Sequence, residues 1–397
     1  MQIADRITSM PKYLFAEIDR LKWEAKAKGV DLINLGVGDP DVPTPDFIVD
    51  ALVDTIKHKP STHQYPEYDG DPAFRASAAA YLKRRFALDI HADRELVGLI
   101  GSKEGIAHFA LAVANPGDVV LVPDPAYPVY FMSAVLAGAE PYRMPLLEKN
   151  SYLPDFSAIP ADVLRRARLM YLNYPNNPTS AVADIAFFRE AVAFAKQHNI
   201  VICHDNAYAE ITFDGFVAPS ILQVEGAKEC CIELYSLSKP LNMTGWRVAF
   251  AYGHEQLISA LRKVKTATDS GQFTAIQFAA MEGLASPDET IERMRGIYTA
   301  RRDRVVAMLN NLGLKCELPR ASLYVWLGIP PGFASSQDFA MELLASQGVI
   351  VSPGVGFGQY GEGYFRISLT TPDPRLDEGL ERIRRFITSH RVAYGGV

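Results

Sequence analysis

Short apolar, β-branched runs recur along this chain with amphipathic stretches between them, and that alternation is its tightest constraint on fold. Leu96–Ile100, Val119–Val122, Arg168–Asn173, Ile200–His204, Cys231–Tyr235 and Val248–Tyr252 each read as a buried strand, with Val119–Val122 ending at Pro123. Helical patterns lie between them. Asp184 stands as an N-cap ahead of Ile185, Phe188, Val192 and Ala195, whose spacing by three and four makes one apolar face. Such α/β alternation implies a mostly parallel sheet covered on both sides, with ligands at the carboxyl ends of its strands.

At 397 residues the chain exceeds one ordinary compact core. From about residue 286 the texture changes. A charged helical stretch, Glu289–Asn311, precedes a strand at Leu323–Leu327, a helix near Ser336–Ser346, the Gly-rich Ser352–Gly363, a strand at Tyr364–Leu369 and a last helix. This reads as a smaller α+β domain, residues 286–397, against which the stretch 1–45 packs. Residues 46–285 are then the large domain.

The formal net charge of −6 provides no broad basic field, which argues against nucleic acid or an anionic membrane as partner. Cys203, Cys230, Cys231 and Cys316 form no CxxC pair and read as reduced thiols. The N-terminus lacks the apolar core of a signal peptide, and no apolar run reaches membrane-spanning length. A cytoplasmic protein is expected.

Chemistry concentrates in Ser236-Leu237-Ser238-Lys239-Pro240-Leu241-Asn242-Met243-Thr244-Gly245-Trp246-Arg247, directly after a buried strand. A lysine there can form an imine with an aldehyde. Its neighbouring hydroxyls and arginine can hold a dianionic phosphate by charge-assisted hydrogen bonds. Ser236-x-x-Lys239 also matches the S-x-x-K of serine acyl-transfer enzymes, but their S-D-N and K-T-G elements are missing. An isolated lysine in a loop would ordinarily be a solvated one.

Two more strand ends point the same way. In His204-Asp205-Asn206-Ala207-Tyr208, Asp205 can receive a protonated ring nitrogen and so keep a pyridine ring cationic. Tyr208 can reach the phenolic oxygen of that ring. Alone, Asp205 would read better as a helix N-cap; the lysine segment reverses that preference. Asn173-Tyr174-Pro175-Asn176-Asn177-Pro178-Thr179 makes a rigid turn facing the same crevice. Gly354-Val355-Gly356-Phe357-Gly358 is followed by a strand rather than a helix, so a dinucleotide loop is rejected.

Taken in order, Gly101-Ser102-Lys103, the Asn177-Pro178-Thr179 turn, Asp205 with Tyr208, and Ser236-x-Ser238-Lys239 followed by Arg247 resemble the class I/II aminotransferases, from about Asp31 to Arg384. The resemblance implies the aspartate-aminotransferase-like fold (fold type I of the pyridoxal-phosphate enzymes), α/β with a mostly parallel seven-stranded sheet plus a smaller α+β domain. It implies that pyridoxal 5′-phosphate is held on Lys239, that Asp205 pairs with the ring nitrogen, and that Asn177 and Tyr208 bond the 3′-oxygen. Tyr127 would stack on the ring. The backbone of Ser102 and Lys103, with Ser236, Ser238 and Arg247, would hold the phosphate. Tyr65 would reach the phosphate of a partner subunit, making a homodimer with shared sites. Arg366 would clamp the substrate α-carboxylate through its planar fork, beside Gly38. Ser180 stands where this family has glycine, which bears on the turn rather than on Asn177. No metal is expected.

Within that family, Tyr13-Leu14-Phe15, His63-Gln64-Tyr65-Pro66-Glu67-Tyr68-Asp69-Gly70 and Gly101-Ser102-Lys103-Glu104-Gly105 resemble the LL-diaminopimelate branch most. There Tyr13 and Lys103 would help bind substrate, an amino acid or 2-oxo acid. Alanine aminotransferases share much of this framework, so alanine or aspartate transamination is the alternative. A C–S lyase of the same fold is a further one. A DNA-binding regulator is disfavoured, because only about thirty residues precede the first strand.

Overall fold

The computed structural model describes residues 29–286 and 288–393, and before them 3–8, 10, 20, 22–23 and 27. In chain order the strands are β1 (Ile33–Asn34), β2 (Leu96–Leu99), β3 (Val119–Asp124), β4 (Glu140–Pro145), β5 (Ala167–Leu172), β6 (Val201–Asp205), β7 (Cys231–Ser236), β8 (Ala249–Gly253), β9 (Tyr324–Gly328), β10 (Val349–Ile350), β11 (Ser352–Pro353) and β12 (Tyr364–Ser368).

Seven of them form one sheet in the order β2-β8-β7-β6-β5-β3-β4. All neighbours are parallel except around β8, which runs antiparallel to both β2 and β7. Successive side chains on a strand face opposite ways, and this sheet divides its apolar residues accordingly. Leu121, Leu172, Ile202 and Phe250 join a core with helices Asp46–His58, Pro72–Phe86, Ile185–His198 and Thr274–Ala285. Val120, Tyr171, Cys203, Leu234 and Ala251 face helices Ser102–Val113, Val129–Leu136 and Glu255–Thr268. Asp184 caps its helix as expected, accepting from Phe187 N at 2.9 Å.

Two features depart from the sequence reading. β4 was not among the strands legible as apolar runs; it is an edge strand, and Glu140, Tyr142 and Arg143 leave it only partly covered. β3 does not stop at Pro123 but continues to Asp124. Its ladder to β5 has ended by Leu121, so the missing Pro123 N–H breaks no bond on that side.

A third core gathers β9, β12 and helices Asp288–Asn311, Ser336–Gln347 and Asp373–Ala393. β11, β12 and β9 form an antiparallel sheet. The N-terminal segment joins this part of the molecule, β1 pairing in parallel with β10. Ile211 and Phe213, just past the end of β6, also enter this core, and Thr212 bridges to Ala321. The carboxyl ends of β5, β6 and β7 therefore open where the second body packs against the sheet. Among the described residues no helix is long and apolar enough to cross a membrane, and the four cysteines are unbridged.

Candidate active site

β7 delivers its chain to Ser236, and Lys239 follows three residues later. The Lys239 ammonium donates to the Gly38 carbonyl at 2.5 Å. Burial pulls its pKa below that of an ordinary lysine, with the positive fields of Arg366 and Arg247 adding to the effect and Tyr324 and Asp39 opposing it. An amine of that kind is nucleophilic nearer neutral pH.

Beside it lies a set of groups that could receive an anion. Ser102 opens helix Ser102–Val113, whose first N–H groups have no partner within the helix. The Ser102 hydroxyl is buried and unpaired. Gly101, at φ 77°, precedes it, and a side chain there would collide with the Arg247 guanidinium, so glycine alone admits that arginine. Arg247 itself is left-handed at φ 56°. Its Nη1 donates to Thr244 O at 2.8 Å, and Gln272 Nε2 donates to its carbonyl.

Asp205 ends β6. Its Oδ2 accepts from the Tyr130 hydroxyl at 2.7 Å, while its Oδ1 is buried with no partner. Its backbone carbonyl accepts from Asn173 Nδ2 at 2.8 Å. Burial lifts the Asp205 pKa above the usual carboxylate range, and the Tyr130 bond works against that rise. Tyr127 stands edge-on to Tyr130, ring centroids 6.0 Å apart.

Across the crevice, Arg366 projects from β12. Its Nη1 donates to Asn177 Oδ1 at 2.6 Å and its Nη2 to the Gly36 carbonyl at 2.5 Å. The guanidinium lies 3.9 Å from the centre of the Tyr324 ring and 4.6 Å from that of Phe357. Tyr324 in turn shares a hydrogen bond of 2.9 Å with Tyr208. A side chain on Gly38 would overlap the Tyr324 hydroxyl.

Gly38, Ser102, Lys103, Tyr127, Asn177, Asp205, Tyr208, Ser236, Ser238, Lys239, Arg247 and Arg366 all line one cavity of about 410 Å³. Tyr65 is not among its walls and stands 91% exposed. Tyr13 lies outside the described residues. Asn173 lines the cavity too, as its place in the turn implied, whereas the sequence reading missed Tyr130, Tyr324 and Phe357 as cavity walls. Only Tyr130 had a usable signal, standing three residues after Tyr127 at a helix start.

Two buried polar atoms without partners, Asp205 Oδ1 and Ser102 Oγ, face one space. Buried polar groups are rarely left unsatisfied. A flat ring with a proton-bearing nitrogen and an anionic tail would satisfy both, and Lys239 could bond covalently to its aldehyde.

The family model described as aminotransferase class I and II matches residues 30–383. An LL-diaminopimelate aminotransferase from Moorella thermoacetica is 51% identical over 98% of this chain and 99% of its own length. One from Syntrophobacter fumaroxidans is 50% identical over 96% of this chain and 98% of its own. Among solved structures, substrate-bound BacF from Bacillus subtilis superposes with a TM-score of 0.93 at 41% identity, covering 98% of both chains.

Proposed function

This chain belongs to the class I and II aminotransferases, and from that premise we propose that it uses pyridoxal 5′-phosphate to exchange an amino group between glutamate and tetrahydrodipicolinate, yielding LL-diaminopimelate and 2-oxoglutarate in lysine biosynthesis. The observation that carries the chemistry is the unpartnered Asp205 Oδ1 in the same cavity as the Lys239 amine. The diaminopimelate assignment draws on the relatives at 50% identity or more over nearly the whole chain.

When bound, the cofactor supplies an aldehyde that captures amines and a pyridine ring that accepts the electron pair left at the substrate α-carbon. Asp205 Oδ1 would hold the ring nitrogen protonated. Asn177 and Tyr208 would hold the 3′-oxygen, with Tyr127 against the ring face. Ser102, Lys103, Ser236, Ser238 and Arg247 would hold the phosphate. Arg366 would exchange its contacts with Asn177 and Gly36 for the substrate carboxylate, with Gly38, Lys103 and Tyr13 completing that pocket. The Lys239 amine would take the proton from the substrate α-carbon and return it.

Residues 46–285 form the large cofactor-binding domain in this reading, with 286–397 and the N-terminal stretch 1–45 making the smaller one. The exposed Tyr65 fits a residue completed by a second copy, so the working unit is a cytoplasmic homodimer.

The test is a half-reaction. Purified enzyme is mixed separately with LL-diaminopimelate, glutamate, alanine and aspartate, and the absorbance of bound cofactor is followed. LL-diaminopimelate and glutamate should bleach it. Bleaching by alanine with none by LL-diaminopimelate overturns the substrate assignment. Pyruvate and ammonia released from a thioether amino acid, with no oxo-acid acceptor added, would replace transamination by C–S lysis.

A further inference from the structure

The face of the sheet turned away from Asp205 carries a buried polar cluster. Register aligns Leu172, His204, Glu233 and Tyr252 on β5, β6, β7 and β8. His204 and Glu233 are both 0% exposed, with His204 Nδ1 2.7 Å from Glu233 Oε2. Glu233 also accepts from Asn206 Nδ2 at 3.1 Å, from Ile221 N at 2.9 Å and from the Tyr252 hydroxyl. Burial alone would raise its pKa, but His204, Tyr252 and Asn206 together hold it below the usual value.

Such a row is an expensive way to fill a core. Apolar residues of similar volume often serve stability equally well or better. Its contacts suggest another purpose. His204 and Asn206 flank Asp205 in sequence, and both are anchored on Glu233. The other His204 nitrogen, Nε2, lies 3.1 Å from Tyr174 O and 3.3 Å from Tyr174 N. Pairing of β5 with β6 has ended at Leu172, so Tyr174 has left the ladder and the imidazole takes the place of a strand partner. Asn177 follows three residues on, and its amide is held by Asn173 Oδ1 at 2.8 Å.

We propose that His204 and Glu233 are positioning residues that lock the turn from Asn173 to Ser180 onto the strand bearing Asp205, so that Asn177 and Asp205 meet a bound ring as one rigid unit. The ring's identity rests on the function proposed above; the mechanical coupling does not.

Amide hydrogen exchange on cofactor-free protein tests the coupling directly. In His204→Leu, the amides of Asn176, Asn177, Thr179 and Ser180 should exchange at least about tenfold faster than in the unmodified protein, with those of β3 and helix Ile185–His198 unchanged. His204→Gln, able to reach both Glu233 and Tyr174, should restore most of the protection. In the loaded enzyme, His204→Leu should lose about tenfold in kcat, with cofactor affinity and KM within about threefold of the parent. Unchanged exchange in the turn, or a uniform rise across the whole sheet, overturns the proposal in favour of a packing role. Should His204→Leu fail to fold, the isosteric Glu233→Gln carries the same comparison, and unchanged turn exchange there overturns it equally. If the unmodified protein takes up no pyridoxal phosphate, the functional reading fails while the exchange result still decides the coupling.

Discussion

Arg366 Nη1 donates to Asn177 Oδ1 at 2.6 Å, joining two side chains 189 positions apart and two different cores of the molecule. Both arms of the guanidinium thus meet neutral acceptors, Asn177 and the Gly36 carbonyl. A carboxylate offers both arms charged acceptors in their place, and charge-assisted bonds are about twice as strong as neutral ones. Arg366→Lys keeps the charge but loses the fork. It should lower kcat/KM for every amino acid substrate by roughly 30- to 100-fold, about 2–3 kcal/mol, chiefly through KM. Steady-state kinetics with two different donors checks this, and a loss confined to one donor would contradict it.

Ser102→Ala removes a buried hydroxyl that has no other partner. Loss of one hydrogen bond to a charged group should weaken pyridoxal phosphate binding by about tenfold or more. Pyridoxal without its phosphate should bind parent and variant alike, as read by equilibrium dialysis.

Asp205 carries an opposite effect on stability and on function. Burial raises its folded pKa above its unfolded value. Its contribution to stability is therefore complete below the unfolded pKa and is lost as pH rises through the folded one. Asp205→Asn, which cannot ionise, should raise the Tm of the cofactor-free protein at pH 8 and make little difference near pH 3. The same variant should lose transamination by a factor of about 10³ or more, because its amide cannot hold a ring nitrogen as a cation. Melting curves at the two pH values decide the stability part.

Gly38→Ala places a methyl group where the Tyr324 hydroxyl stands. Overpacking of this kind costs about 1–3 kcal/mol. It should shift Tyr324 off Arg366 and Tyr208, raising KM. Adding Tyr324→Ala removes the hydroxyl and the ring carbons Cε1 and Cζ that all obstruct the methyl, and should recover part of the stability loss, a non-additivity that a double-mutant cycle measures.

The sequence made legible what strand ends and turn chemistry announce. Asp205 closes an apolar run, and Lys239 and Asn177 lie in the short segments that leave two others, so their emergence at one edge of a parallel sheet could be inferred before any coordinates. Tyr324 could not be, because its role arises from the packing of β9 beside β12, and register between distant strands leaves no local trace. β4 escaped for a related reason: an edge strand need not be apolar throughout, and Glu140-Pro141-Tyr142-Arg143 resembles a loop. The use of the Gly-rich stretch was invisible in the sequence. Asp124, at the end of β3, accepts from the backbone of Gln359 and Tyr360 and so pins that stretch close to the cavity that Phe357 lines.

The short run Gly36–Gly38 accepts from Arg366 through one carbonyl and from Lys239 through another. Two peptide units thereby hold the Arg366 guanidinium and the Lys239 amine in one fixed relation. Main chain, rather than any one side chain, thus sets how far apart these two groups stand.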